Sequence, residues 1–170
     1  IHFNYFMGGK LTNIKYRDGR KNFKLVKGAE KVFYNIDSIV GYSYCVIVEG
    51  EMDALALHEA GVTNVISVPN GATLGQNNLD YLDNCIDYFD DKEKIILAVD
   101  TDDAGLALQN EMIRRLGSEV CYIQHLTIAK TQMNTYKNME KKNYQSVLQA
   151  QNLYQWRTLQ RSGILKMKLR

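Results

Sequence analysis

Short apolar runs alternate with segments of helical periodicity through the middle of the chain. The runs are rich in β-branched residues and too short for helices, which predicts buried strands. An alternation of strands and helices predicts a parallel sheet with right-handed crossovers and helices on both faces, which is an α/β fold. The predicted strands are 44–48, 65–68, 95–99 and 120–123, and the predicted helices are 54–60, 79–89 and 104–116.

Before this core, residues 1–43 have the pattern of short strands joined by turns. Gly8-Gly9 and Asp18-Gly19 are turn sequences, and Asp-Gly between two apolar-polar alternations is a strong hairpin signal. The first 43 residues are therefore predicted to form a small β-rich lobe.

Charge divides the chain at the same places. Residues 1–43 carry eight Lys or Arg and three Asp or Glu, a net charge of +5. Residues 44–124 carry four against fifteen, or −11, and residues 125–170 carry nine against one, or +8. We therefore predict a basic lobe at 1–43, an acidic α/β domain at 44–124 and an atypical basic tail at 125–170.

Other features of the composition exclude several classes. Cys45, Cys85 and Cys121 are far apart and odd in number, so we expect buried free thiols rather than a disulfide framework or a zinc site. No apolar run is long enough to cross a membrane. Because the chain begins with Ile1 rather than Met, we expect it to be part of a longer protein.

Acidic residues follow two of the predicted strands. Glu49 comes directly after the strand 44–48, and Asp100 and Asp102 come after the strand 95–99. Parallel strands present their carboxyl ends at one edge of a sheet, where ligands bind in open α/β folds. Negative charge gathered there is costly unless a cation neutralises it, so these acids are candidate Mg²⁺ ligands.

The same residues carry a family resemblance. Glu49-Gly50 with Asp53, followed by Asp100-x-Asp102-x-Ala104-Gly105, resembles the Toprim domain, in the form found in primases of the phage primase–helicase type. The resemblance implies a DNA primase catalytic core that makes RNA primers by metal-dependent nucleotidyl transfer. It assigns catalysis and Mg²⁺ or Mn²⁺ binding to Glu49, Asp100 and Asp102. Supporting roles fall to Gly50, Asp53, Asp103 and Gly105, with a purely structural role at helix N-termini as the alternative for Asp53 and Asp103.

The basic lobe is predicted to bind nucleic acid or nucleotide. If one face of the hairpin packs on the core, the other can present cations to phosphates, and a merely solvated face is the alternative. The residues in question are Lys15, Arg17, Arg20, Lys21, Lys24 and Lys27.

The resemblance also implies partners and competing functions. A primase would bind a single-stranded DNA template, ribonucleoside triphosphates and a fused or separate replicative helicase, without a membrane, in the cytoplasm of a bacterial or phage-infected cell. A Toprim-type nuclease and a catalytically impaired nucleic-acid-binding fragment are the alternatives.

The tail departs from the family's pattern. Primases of this type follow the fourth strand with a third acidic motif close to Lys-Asp-Ala-Asn-Glu, which is missing here. Permitted synonymous codons from Thr127 onward allow a shifted frame that contains this motif. We therefore hypothesise a frameshift near 124–127, which sequencing of the encoding DNA would test.

Overall fold

The computed structural model describes residues 1–20, 22–70 and 79–124. The predicted tail 125–170, with its hypothesised frameshift, lies outside these residues, as does Lys21. Within the described ranges no helix combines the length and the apolar character that a membrane crossing needs.

The first part of the chain forms the predicted small β-sheet. Strands β1, β2 and β3 are antiparallel and lie in the order β1-β2-β3. Gly8 and Gly9, between β1 and β2, have φ values of 59° and 72°, a region that glycine enters without a steric penalty. The strands are β1 His2–Met7, β2 Lys10–Arg17 and β3 Phe23–Leu25.

The second part forms the predicted parallel sheet. Its four strands lie in the order β5-β4-β6-β7, and every neighbouring pair is parallel, which confirms the α/β fold. The strands are β4 Tyr44–Val48, β5 Val65–Ser67, β6 Lys94–Ala98 and β7 Cys121–Ile123, and the helices are α1 Glu51–Glu59, α2 Asp80–Asp83 and α3 Asp103–Leu116.

Alternate residues of the parallel strands enter two separate apolar clusters. Val46 and Val48 pack with Ala54 and Leu57 of α1 on one face of the sheet. The other face forms the larger cluster, which also contains α3 residues and inward-facing residues of β1. The small sheet therefore shares its core with the parallel sheet, which fixes it close to the ends of β4 and β5.

The prediction of a continuous helix at 79–89 is wrong. The chain forms the single turn α2 and then, after a break, a 3-10 helix at Ile86–Phe89. The Asn84 side chain donates a 2.8 Å hydrogen bond to the Lys31 carbonyl oxygen. Asn residues that make such non-local bonds favour turns over helix interiors, which accounts for the break.

Candidate functional site

The acids that follow β4 and β6 meet at the carboxyl edge of the parallel sheet. Val48 and Ala98 are paired in register, so the residues after them leave the sheet side by side. The backbone N–H of Asp100 donates a 2.9 Å hydrogen bond to Oε1 of Glu49. The structure thus places the Glu49 carboxylate against the backbone of Asp100 at this edge, and the catalytic and metal-binding roles of the two acids stay predictions.

Asp102 is at the N-terminus of α3, where it caps the helix. Its Oδ1 accepts a 2.9 Å hydrogen bond from the backbone N–H of Gly105. This bond satisfies one of the helix's unpaired N–H donors, and it leaves the second carboxylate oxygen for other interactions. Asp102 therefore caps α3, a structural role that the sequence analysis did not predict for it. Asp103 is the exposed first residue of the same helix, the position where an acid stabilises the helix dipole.

Gly105 is buried where the Asp100 loop passes over Glu49. A Cβ atom here would lie 2.7 Å from Oε1 of Glu49 and far inside van der Waals contact of the Asp100 carbonyl oxygen. Since one of these neighbours is backbone, no side-chain movement relieves the overlap. The glycine of the Asp-x-Asp-x-Ala-Gly motif is therefore required by the close approach of the loop to the acid.

Gly50 and Asp53 form a similar pair at the start of α1. Gly50 is the N-cap residue with extended backbone, and a Cβ there would lie 2.8 Å from Oδ2 of Asp53. The Asp53 side chain therefore lies over the Gly50 backbone in the first turn of the helix. An acid in this position also stabilises the helix N-terminus, so the supporting role of Asp53 stays a prediction beside its structural alternative.

The acids at this edge suit a metal ion that substrate phosphates and water also bind, rather than one enclosed by protein ligands. Among residues 1–20, 22–70 and 79–124, no group of three or more His, Cys, Asp or Glu is arranged to hold a metal. Mg²⁺ needs only one or two protein carboxylates when substrate phosphates and water complete its shell. Glu49 and the exposed Asp100 are the two carboxylates at this edge that could serve in this way, whereas the three-acid set with Asp102 is not assembled by the described residues.

Lys15 differs from the exposed cation that we predicted. Its side chain is 9% exposed, and its Nζ lies 2.7 Å from Oε1 of Glu51, whose side chain is 4% exposed. The Tyr5 hydroxyl donates a hydrogen bond to the same oxygen. The prediction of an exposed, phosphate-facing side chain is thus wrong for Lys15, because its ammonium group is buried against Glu51 at the start of α1.

Sequence reasoning missed this cluster. Glu51 lies between the two acids of the Glu-Gly-x-x-Asp motif, and nothing in the local pattern marks it as buried. Burial and the charge of Glu51 raise the pKa of the Tyr5 hydroxyl well above its usual value, and they raise the pKa of Tyr34 in the same way. Both tyrosines therefore remain protonated hydrogen-bond donors at neutral pH.

The remaining predicted cations lie around the hairpin. The half-buried Arg17 guanidinium is 5.4 Å from the ring centroid of Phe23, and Lys15 is 4.9 Å from the same ring. Lys15 and Arg17 lie on one face of β2, so Arg17 is a second cation beside the Lys15–Glu51 ion pair. The exposed cations of the predicted set that the structure describes are Arg20, Lys24 and Lys27.

Comparison with known proteins gives a consistent picture. The family model described as Toprim-like matches residues 46–141, more than half of the chain. The chain is 39% identical over 134 residues to the Primase homolog protein of Arabidopsis thaliana, covering 72% of the chain and 40% of that protein. It is 37% identical over 133 residues to the Twinkle homolog protein, chloroplastic/mitochondrial, of the same plant, covering 72% of the chain and 19% of that protein. The chain thus spans less than half the length of these curated relatives.

Solved structures agree with the fold. The primase fragment of the bacteriophage T7 primase-helicase protein superposes with a TM-score of 0.64 at 27% identity, over 74% of this chain and 52% of that one. The catalytic core of DnaG superposes with a TM-score of 0.56 at 14% identity, over 88% of this chain and 51% of that one, a likeness of fold alone.

Proposed function

The chain belongs to the Toprim-like family, and from that premise we propose that it is the catalytic core of a DNA primase. The reaction would be template-directed synthesis of an RNA primer from ribonucleoside triphosphates. The observation that carries the proposal is the meeting of Glu49 and Asp100 at the carboxyl edge of adjacent parallel strands, 2.9 Å from side-chain oxygen to backbone nitrogen. The names of the plant and phage relatives support it.

In this proposal the described acids hold Mg²⁺, or Mn²⁺ in its place, together with the nucleotide phosphates. A divalent ion supplies charge neutralisation at the phosphates and activation of the attacking hydroxyl. Glu49 is held in place by the Asp100 N–H, and the lack of a side chain at Gly105 leaves the space that its carboxylate occupies. Asp100 would be the exposed partner, and Asp102 would act on the hydrated ion through the oxygen that does not cap α3, since the three acids form no single metal-binding group among the described residues.

The basic residues of the hairpin would bind the template and the triphosphates. Arg17, Arg20, Lys24 and Lys27 are half-buried or exposed side chains of a lobe that packs beside the acidic edge. Each phosphate that such a cation neutralises releases a counterion, so binding is expected to weaken steeply with salt. A fused or separate helicase remains the expected partner, and the cytoplasmic location remains a prediction.

Primer synthesis by the full chain tests the proposal. A single-stranded template, labelled ribonucleoside triphosphates and Mg²⁺ should yield template-dependent di- and oligonucleotides. Glu49→Gln and Asp100→Asn should each lower the rate by about 100-fold or more, the scale on which catalytic groups act. Glu93→Gln is the matched control, because Glu93 is an exposed acid before β6 at the opposite edge of the sheet.

The same mixture separates the competing functions. Metal-dependent cleavage of the template without primer formation would support a Toprim-type nuclease instead. Binding of the template without cleavage or synthesis would support a nucleic-acid-binding domain that lacks catalysis. Equal rates for wild type, Glu49→Gln and Asp100→Asn would remove the acids from the mechanism.

A further inference from the structure

A cavity of about 320 Å³ lies beside the small sheet and outside the acidic edge. Its volume is at the lower end of the range for small-molecule sites. From its lining we propose that it binds a nucleobase, taken either from a single-stranded nucleic acid or from a nucleotide. The lining residues are His2, Asn4, Phe6, Tyr34, Asn35 and Asp37.

The cavity is bordered by the outer edge of β1. Among the residues that the structure describes, this strand pairs in its sheet with β2 alone, so its other side is an edge. Ile1 and Arg17 exchange backbone hydrogen bonds of 2.8 and 2.9 Å. In an antiparallel pair such bonded residues alternate with residues whose backbone groups point the other way. The N–H and C=O groups of His2 and Asn4 therefore point away from β2, toward the side on which the cavity lies.

The opposite wall is held in place by its own hydrogen bonds. The two oxygens of Asp37 accept hydrogen bonds from the backbone N–H groups of Gly8 and Gly9, at 2.8 and 2.9 Å, and the Tyr88 hydroxyl donates to Oδ1 at 3.1 Å. The Asn35 amide donates a 3.0 Å bond to the Val65 carbonyl oxygen. A cavity with walls fixed in this way loses little conformational entropy when a ligand enters.

The lining selects a planar and uncharged ligand. None of the described residues around the cavity is Lys or Arg, and Asp37 would repel a phosphate. Phe6 is 43% exposed, and together with Tyr34 it offers aromatic surface. Aromatic rings combined with neutral donors and acceptors are the usual means of holding an unpaired base.

The cavity is also close to the candidate catalytic acids. Tyr34 and Ser67 exchange backbone hydrogen bonds of 2.9 and 3.2 Å, and Ser67 is paired with Val48 at the end of β4. The Tyr34 and Tyr5 ring centroids are 5.3 Å apart, and Tyr5 contacts Glu51. The cavity is therefore connected through Tyr34 to the elements that carry Glu49 and Glu51, and its use by a base in primer synthesis rests on the proposed function.

Binding measurements on the full chain test the inference independently of catalysis. The variants are Phe6→Ala and Asn4→Leu, both at exposed positions, with Tyr42→Ala as the control because Tyr42 is equally exposed and does not line the cavity. The probes are an oligothymidylate, an abasic oligonucleotide of the same length and the four ribonucleoside triphosphates. Phe6→Ala should weaken binding about tenfold, the effect expected from loss of one stacked base, and Tyr42→Ala should not.

Each outcome has one meaning. A loss confined to the oligothymidylate assigns the cavity to a template base, and a loss confined to the triphosphates assigns it to an incoming nucleotide. Unchanged affinity of both cavity variants for all base-containing probes would overturn the inference, as would an equal loss for the abasic oligonucleotide. Base binding by a chain that makes no primer would contradict the proposed catalysis and leave the cavity assignment standing.

Discussion

The buried pair between Lys15 and Glu51 gives the sharpest prediction about stability. Replacing Lys15 with Met removes the ammonium group and leaves the Glu51 carboxylate buried, with the Tyr5 hydroxyl still donating a hydrogen bond to it. Removing one partner of a buried ion pair costs about 3–5 kcal/mol, since the remaining charge is uncompensated. For a chain of this size, that corresponds to a fall in melting temperature of about 6–20 °C.

Two further variants separate the charge from the packing. Lys15→Met/Glu51→Leu removes both charges and should recover most of the stability, because an apolar replacement of a buried pair is often neutral. Lys31→Met is the control, since Lys31 lies 3.5 Å from Asp80 with both side chains more than 40% exposed. Such an exposed pair contributes about 0–1 kcal/mol.

Urea denaturation followed by circular dichroism measures these differences as shifts in the midpoint at constant slope. The expected order of stability is wild type and Lys31→Met together, the double variant slightly lower, and Lys15→Met lowest. If Lys15→Met were as stable as Lys31→Met, the Lys15 ammonium would not be buried against Glu51. If the double variant were no more stable than the single one, the uncompensated charge of Glu51 would not account for the loss.

Three other predictions follow from single contacts. Gly105→Ala should destabilise the chain by about 1–3 kcal/mol through overpacking, whereas Gly19→Ala, with open space around it, should be neutral in the same urea titration. Asp102→Asn should keep the α3 cap and unfold at the wild-type urea midpoint, while titration calorimetry should show weaker Mg²⁺ binding. An unchanged Mg²⁺ affinity would mean that Asp102 only caps the helix. Burial raises the pKa of the Cys45 and Cys85 thiols to about 12 and 11, so a thiol reagent at pH 8 should modify them at least about 100-fold more slowly in the folded than in the unfolded chain. The free energy of unfolding should also fall as the pH rises above about 9, because the thiols then lose their protons in the unfolded chain alone. Equal rates of modification would place both thiols at the surface.

Local sequence pattern determined the parallel sheet. The strands at 44–48 and 95–99 are apolar throughout because both faces of the sheet are covered. Acidic residues and a glycine follow each strand, and they mark where the chain leaves the sheet and begins a helix. These signals are local, so they could be recognised without knowing what packs on what. The same signals placed Glu49 and Asp100 at one edge, since parallel strands in register share the direction in which they end.

The break in the segment 79–89 was decided by a contact outside it. Leu79, Leu82 and Phe89 have helical spacing and are buried, as a continuous helix would require. The Asn84 amide nevertheless bonds to a carbonyl oxygen 53 positions earlier in the chain. Periodicity describes which residues are buried, but it does not show which backbone groups find partners elsewhere.

The environment of Lys15 shows the same limit for function. Its spacing in the hairpin is that of an exposed cation, and only the tertiary fold places its Nζ 2.7 Å from Oε1 of Glu51, 36 positions away. The cavity beside β1 is likewise formed by two segments that no motif connects. The sequence determined the strands, turns and acids because these depend on neighbouring residues. Tertiary structure alone decided which charges are buried and which surfaces enclose a ligand, because both depend on contacts between residues distant in the chain.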